Sequence, residues 1–244
     1  MSEWLVLCTE ETDSWVKRVF EKVPMVAWLN KAPGPTDLES KELVVEAFLA
    51  NDLKAEALRA ISACENWRGP VASRISDGSA TQWAIRSGLG GRLVGFQDSP
   101  NSEDPPAVEL FRGETTESEV LREIQGRFEG AGFLVFLCRD QAGGILPRVL
   151  ASMINEAASM AYGGIAPVDR IDRMMRLGAN FPMGPLEWAD RIGLDRVLAL
   201  LEAMQKELGP QYQPCPWIRR KVEAGQLGVK TGEGFYNYAS GGAL

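Results

Sequence analysis

Leu146-Pro147-Arg148-Val149-Leu150-Ala151-Ser152-Met153-Ile154-Asn155-Glu156-Ala157-Ala158-Ser159-Met160-Ala161-Tyr162 reads as one uninterrupted helix. Its apolar residues return every three or four positions, the period of a helix with one buried face. The chain beyond it has the same character. Pro167 predicts the first turn of another helix, where a missing N–H costs nothing. Val168, Ile171, Met174, Met175 and Leu177 follow at helical spacing, with Gly178 read as the stop. Residues 194–208 are amphipathic throughout, and residues 216–223 make a last short helix. The sole strand-like run in this half is Phe235-Tyr236-Asn237-Tyr238, and residues 239–244 read as a frayed end.

On the N-terminal side the period changes. Residues 4–8, 25–29, 43–47, 70–73, 92–96, 108–112 and 133–138 are short apolar runs of strand length. Helical patterns lie between them: residues 13–22, a stretch capped by Asn51 with Leu53, Ala57, Leu58 and Ile61 on one face, and residues 117–129. Lys31-Ala32-Pro33-Gly34-Pro35 reads as irregular. Gly88, Gly90 and Gly91 follow a helix and precede a strand, the order of a C-cap and turn rather than a phosphate loop. Strand–helix alternation predicts a mostly parallel sheet with helices on both faces. The fold class is therefore α/β then all-α, with the halves divided as residues 1–139 and 140–244.

The 244 residues are 45% hydrophobic, enough to bury one large core or two ordinary ones. The formal net charge of −7 opposes a nucleic-acid surface, which needs clustered Lys and Arg. Cys8, Cys64, Cys138 and Cys215 form no C-x-x-C pair, and the chain has no histidine, so zinc spacing is absent. Unpaired cysteines among apolar residues fit small core side chains in a reducing compartment. Met1-Ser2-Glu3 has no positive leader pattern, and no apolar run has the length of a membrane span. A cytoplasmic location is expected, with no membrane partner.

Several short phrases then fall in a particular order. They include Gly144-Ile145-Leu146-Pro147-Arg148, Asn155-Glu156-Ala157, Asp169-Arg170-Ile171-Asp172 and Phe181-Pro182-Met183-Gly184-Pro185-Leu186-Glu187. Asp190-Arg191-Ile192-Gly193-Leu194-Asp195 and residues 228–238, from Gly228-Val229-Lys230-Thr231-Gly232 to Tyr238, complete the set. In this order they resemble the C-terminal domain of the 3-hydroxyacyl-CoA (3-hydroxybutyryl-CoA) dehydrogenases. In the first half, Leu43-Val44-Val45-Glu46-Ala47, Ser73-Arg74-Ile75-Ser76, Val94-Gly95-Phe96 and Val108-Glu109 resemble that family's strands. The resemblance implies a degenerate, shortened Rossmann-like NAD domain over residues 1–139. It implies a helical dimerisation domain over residues 140–244, a substrate cleft between the two, and a place in fatty acid and acyl-CoA metabolism.

Family members move the substrate proton with a histidine, oriented by a glutamate and helped by a serine and two asparagines. The matching phrases put Gln97 at the histidine position and Glu109 at the glutamate, Ser76 at the serine, and Pro100 and Pro147 at the asparagines. An amide neither accepts nor releases a proton near neutral pH, though it can hydrogen-bond a carbonyl. Proline offers neither a side-chain donor nor an N–H. Glu109, without an imidazole to orient, reads as a solvated strand-end carboxylate. Asp98 is not read as a substitute base, because adjacent strand residues face opposite sides.

The resemblance also implies NAD as cofactor, with Asn30 and Glu46 at cofactor-binding positions. The first strand–helix turn is Thr9-Glu10-Glu11-Thr12-Asp13-Ser14. It has none of the glycines that let a backbone approach a pyrophosphate, and it carries three carboxylates. Thr12 or Asp13 reads as a helix cap. The family's third strand and long helical excursion, which carries CoA contacts, are replaced by residues 31–41. The chain is thus expected to have lost or weak hydride transfer and to act as an acyl-CoA binder or dimer partner, with itself or an active paralogue. The alternative is an active NAD(P)-dependent 3-hydroxyacyl-CoA oxidoreductase with altered catalytic residues.

Overall fold

A computed structural model describes residues 3–9, 14–23, 25–48, 50–75 and 78–238. They form two compact units, Met1–Gly144 and Ile145–Leu244. The first unit runs β1 (Trp4–Leu7), α1 (Ser14–Phe20), β2 (Val26–Leu29), α2 (Pro35–Leu38), β3 (Leu43–Glu46) and α3 (Asn51–Ala63). It continues through β4 (Val71–Arg74), α4 (Ala80–Ser87), β5 (Leu93–Glu103), β6 (Pro106–Arg112), α5 (Ser118–Gly130) and β7 (Leu134–Arg139). The strands make one seven-stranded sheet in the order β2-β1-β3-β4-β5-β6-β7. Every neighbouring pair is parallel except the β5–β6 pair, which is antiparallel.

Each face of the sheet buries its own cluster. Trp4, Val6, Val45, Ala72 and Phe96 point toward α1 and α5, where Phe20, Phe128 and Phe133 join them. Phe128 stands at the centre, with ring centroids 5.0 Å from Phe133 and 5.4 Å from Trp4. Leu5, Leu7, Val44, Val71, Leu93 and Phe111 point the other way, onto Leu58 and Ile61 of α3 and Trp83 of α4. The alternation of sides along each strand is the period of two expected of a pleated sheet.

Three readings of the sequence change here. Pro35 opens the one-turn α2 instead of lying in irregular chain, since proline suits a first helical turn. Asn51 is the first residue of α3 rather than its cap; Ala50 holds the cap position. β5 runs to Glu103, well past residue 96, because β6 pairs back along it in a long hairpin with an irregular register between Asp98 and Glu103. The two compact units divide after Gly144. The Asp140 carboxylate accepts from Ala80 N, Thr81 N and Thr81 Oγ1 at 2.8, 2.8 and 2.6 Å, tying the end of β7 to the start of α4.

The second unit holds α6 (Leu146–Tyr162), α7 (Val168–Ala179), α8 (Pro185–Ile192), α9 (Leu194–Leu208) and α10 (Pro216–Glu223). α7 passes Gly178 and stops at Asn180, whose left-handed backbone (φ 55°) closes the helix. Residues 235–238 are not a strand; isolated bridges join Gly228 to Glu233 and Glu233 to Asn237. The motif carboxylates hold this tail. Asp190 accepts from Phe235 N and Tyr236 N at 2.9 Å and from Tyr238 Oη at 3.1 Å. Asp172 accepts from Leu186 N, Glu187 N and Tyr236 Oη at 2.9, 2.8 and 2.8 Å. A Cβ on Gly234 would collide with the Asp190 carboxylate, so only glycine lets the tail approach this closely. Asn155 pins a second loop, donating to Gln213 O at 2.9 Å and accepting from Cys215 N at 2.7 Å.

This clasp has a pH signature. Burial pushes the Tyr236 and Tyr238 hydroxyls far above the ordinary tyrosine range, and their bonds to Asp172 and Asp190 add to it. A raised folded-state value means that the folded form keeps protons the unfolded chain releases. The associated stability is fully present below about pH 10, the ordinary tyrosine value, and falls as pH rises above it. Urea titrations at pH 8 and pH 10.5 are expected to show that loss, with a smaller loss in the Tyr236→Phe, Tyr238→Phe double variant. An equal loss in both proteins would remove the clasp from the explanation.

Candidate functional site

The register of the sheet sets a polar row along one face, at the C-terminal ends of the parallel strands. Glu46 on β3 lies opposite Ser73 on β4, Ser73 opposite Gly95 on β5, and Gln97, two residues further on, opposite Glu109 on β6. Residues two apart on a strand share a face, so Glu46, Ser73, Gln97 and Glu109 all project from the same side. Open α/β sheets take their ligands at these carboxyl ends.

At the β3 end the row is tied internally. The Glu46 carboxylate accepts from Phe48 N and from Ser73 Oγ, each at 2.7 Å. Lys54 Nζ stands 3.1 Å from it, and both side chains are wholly buried. The same ammonium donates to Arg74 O and lies 4.9 Å from the centroid of the Trp83 ring. Sequence reasoning missed Lys54. The signal was present, because it occupies the core stripe of α3 with Leu58 and Ile61 at helical spacing. It also missed Arg74. That guanidinium points to the other face and meets Asp98 at 2.5 Å, with both residues buried. Asp98 therefore faces away from Gln97, as strand alternation required.

The β5–β6 end carries Gln97 and Glu109. Gln97 is half-buried and stands directly across the antiparallel pair from Glu109. Glu109 is not a solvated strand-end acid: only 6% of it is exposed. Its burial comes from chain far along the sequence. Cys138 Sγ lies 3.8 Å from Oε2, and the Gly144 backbone (φ 52°) packs so closely that a Cβ there would collide with the same oxygen.

The remaining positions are dispersed. Ser76 lies outside the described residues, as do Glu10, Glu11, Thr12 and Asp13 of the first turn. Pro100 falls in the outer part of β5. Pro147 sits in the first turn of α6, in the other unit. Asn30 is exposed just beyond β2, and β2 is the edge of the sheet. Residues 31–41 hold only the single turn of α2 before the chain returns to β3 beside β1, so no strand lies outside β2 among the described residues. None of the four cysteines, all of them described residues, forms a disulfide. Among the described residues no helix is long and apolar enough to cross a membrane.

The family model for the C-terminal domain of 3-hydroxyacyl-CoA dehydrogenase matches residues 143–238. A probable 3-hydroxybutyryl-CoA dehydrogenase of Deinococcus radiodurans is 37% identical over 83% of this chain and 73% of its own length. One of Bacillus subtilis is 34% identical over 94% of this chain and 78% of its own. The crystal structure of (S)-3-hydroxybutyryl-CoA dehydrogenase from Ralstonia eutropha superposes with a TM-score of 0.85 and 26% identity, over 98% of this chain and 99% of that one. The chain belongs to the 3-hydroxyacyl-CoA dehydrogenase family.

Proposed function

We propose that this chain is a member of the family whose hydride transfer is lost or weak, and that it binds acyl-CoA as a homodimer or beside an active paralogue. The observation that carries this reading is the glutamine directly across the sheet from the buried Glu109. A residue that cannot titrate stands where relatives keep the proton acceptor, and losing a general base removes about 10²–10⁴ in rate.

The groups around the expected dinucleotide position do not fit NAD. Glu46 already accepts from Phe48 N, Ser73 Oγ and Lys54. Asn30 is an exposed amide on a bare sheet edge, and the link from β1 to α1 contains no glycine. The polar row nevertheless retains an amide and a carboxylate that suit an acyl thioester and its 3-oxygen.

A dimer through the helical unit is supported by apolar side chains left in the open there. Ile165, Met174 and Leu177 are 75%, 68% and 74% exposed, and Met174 and Leu177 sit one turn apart on α7. Large side chains exposed together mark contact surfaces. Calorimetry with acetoacetyl-CoA tests the first half of the proposal: micromolar binding without NADH supports it, and no binding at millimolar ligand rejects it. Light scattering tests the second, with a mass of twice the chain expected and a monomer contradicting it.

A further inference from the structure

Losing a histidine removes one kind of proton transfer but not every kind. Gln97 and Glu109 are a directly opposed antiparallel pair, so their Cβ atoms lie about 4.5–5.5 Å apart on one face. Glu109 is a buried carboxylate whose position is fixed by Cys138 Sγ at 3.8 Å and by the Gly144 backbone. Among the described residues the Gln97 amide has no hydrogen-bond partner. The pair therefore presents an N–H donor beside a carboxylate acceptor. That combination is complementary to a ketone with an acidic hydrogen on the next carbon: the donor holds the oxygen and the acceptor takes the proton. The chemistry needs no imidazole and no hydride acceptor. The buried acid on the opposite face, Asp98, is committed to Arg74 and takes no part.

We propose that Gln97 and Glu109 catalyse reversible enolisation at C2 of a 3-oxoacyl thioester. This rests on the acyl-CoA binding proposed above. The C2–H bond breaks and its proton passes to a Glu109 carboxylate oxygen. The released pair forms the C2–C3 double bond while the C3 carbonyl pair moves onto oxygen, which accepts a hydrogen bond from the Gln97 amide. In reverse, Glu109 returns a proton, exchanged with solvent, to C2. Nothing is oxidised or reduced and no co-reactant is consumed. C2 is the reacting carbon because it lies between two carbonyl groups, so its hydrogen is the most acidic in the acyl chain. An unsubstituted acyl-CoA, lacking the 3-oxygen, is not a substrate.

The test is proton NMR of acetoacetyl-CoA in deuterated buffer near pH 6, following the C2 signal with and without the full chain. Exchange is expected to run at least about tenfold above the buffer rate. Glu109→Gln should cost about a hundredfold of the enzymatic part, the size of a lost general base. Gln97→Leu, which leaves the base in place, should weaken acetoacetyl-CoA binding by calorimetry and slow exchange even at concentrations that saturate the variant. Circular dichroism checks that each variant is folded, and a misfolded Glu109→Gln leaves Gln97→Leu to decide. Binding with exchange no faster than buffer overturns this inference and leaves the acyl-CoA reading standing. Absence of binding overturns both. Exchange that persists unchanged in both folded variants also overturns it.

Discussion

Asp190→Ala is expected to destabilise the helical unit by at least about 3 kcal/mol. The carboxylate is 1% exposed and accepts three hydrogen bonds, from Phe235 N, Tyr236 N and Tyr238 Oη. Alanine strands all three donors, and each unmade bond to a buried group costs about 1–3 kcal/mol. Burial opposes these gains by pushing the Asp190 carboxyl up from the usual carboxylate range, while the two backbone donors and the tyrosine pull it down. Asparagine should also destabilise, because its NH2 group would face donors on one side. Trp217 packs against Phe235 at 5.1 Å between ring centroids, so tryptophan fluorescence reports tail release. The two units need not unfold together, so helical ellipticity and fluorescence should be followed in one urea titration. A variant with an unchanged midpoint would show that the tail is held by packing alone.

NAD is expected to bind the unmodified chain more weakly than about 1 mM. The sequence between β1 and α1 includes Glu10, Glu11 and Asp13 and no glycine. A single unit charge about 5 Å from a phosphate costs roughly 3 kcal/mol at an effective dielectric of 20. The attraction of a helix N-terminus is about 0.3–1 kcal/mol, so even one of these carboxylates outweighs it. The Glu10→Gln, Glu11→Gln, Asp13→Asn triple variant should tighten binding measurably by calorimetry, and less so as salt rises and screens the charges. Micromolar NAD binding to the unmodified chain would make this electrostatic argument wrong.

The architecture was legible where one local period decides it. α6 spans the residues its apolar repeat predicts, and all seven strands lie on the seven apolar runs. Boundaries set by tertiary partners were not. β5 extends through a polar stretch because β6 lies beside it. α8 was not read as a helix, although Pro185 suits the first turn that it occupies. The relation of Gln97 to Glu109 was implied only by the family resemblance, and the two stand opposite each other as a cross-strand pair. The burial of Glu109 was not legible, since it depends on Cys138 and Gly144 some thirty residues further along the chain. Lys54 was passed over because lysine is normally solvated; only Glu46, the Arg74 carbonyl and the Trp83 ring make its burial tolerable.

The claim that the proton-transfer group is gone while the scaffold persists meets its most direct test in the NADH absorbance band. Purified chain, acetoacetyl-CoA and NADH are mixed at neutral pH beside a relative that keeps the histidine. A rate at least about 10²–10⁴ below that relative, the value of a general base, is the expected result. Steady NADH oxidation at the relative's own rate would contradict the account and establish the active oxidoreductase in its place.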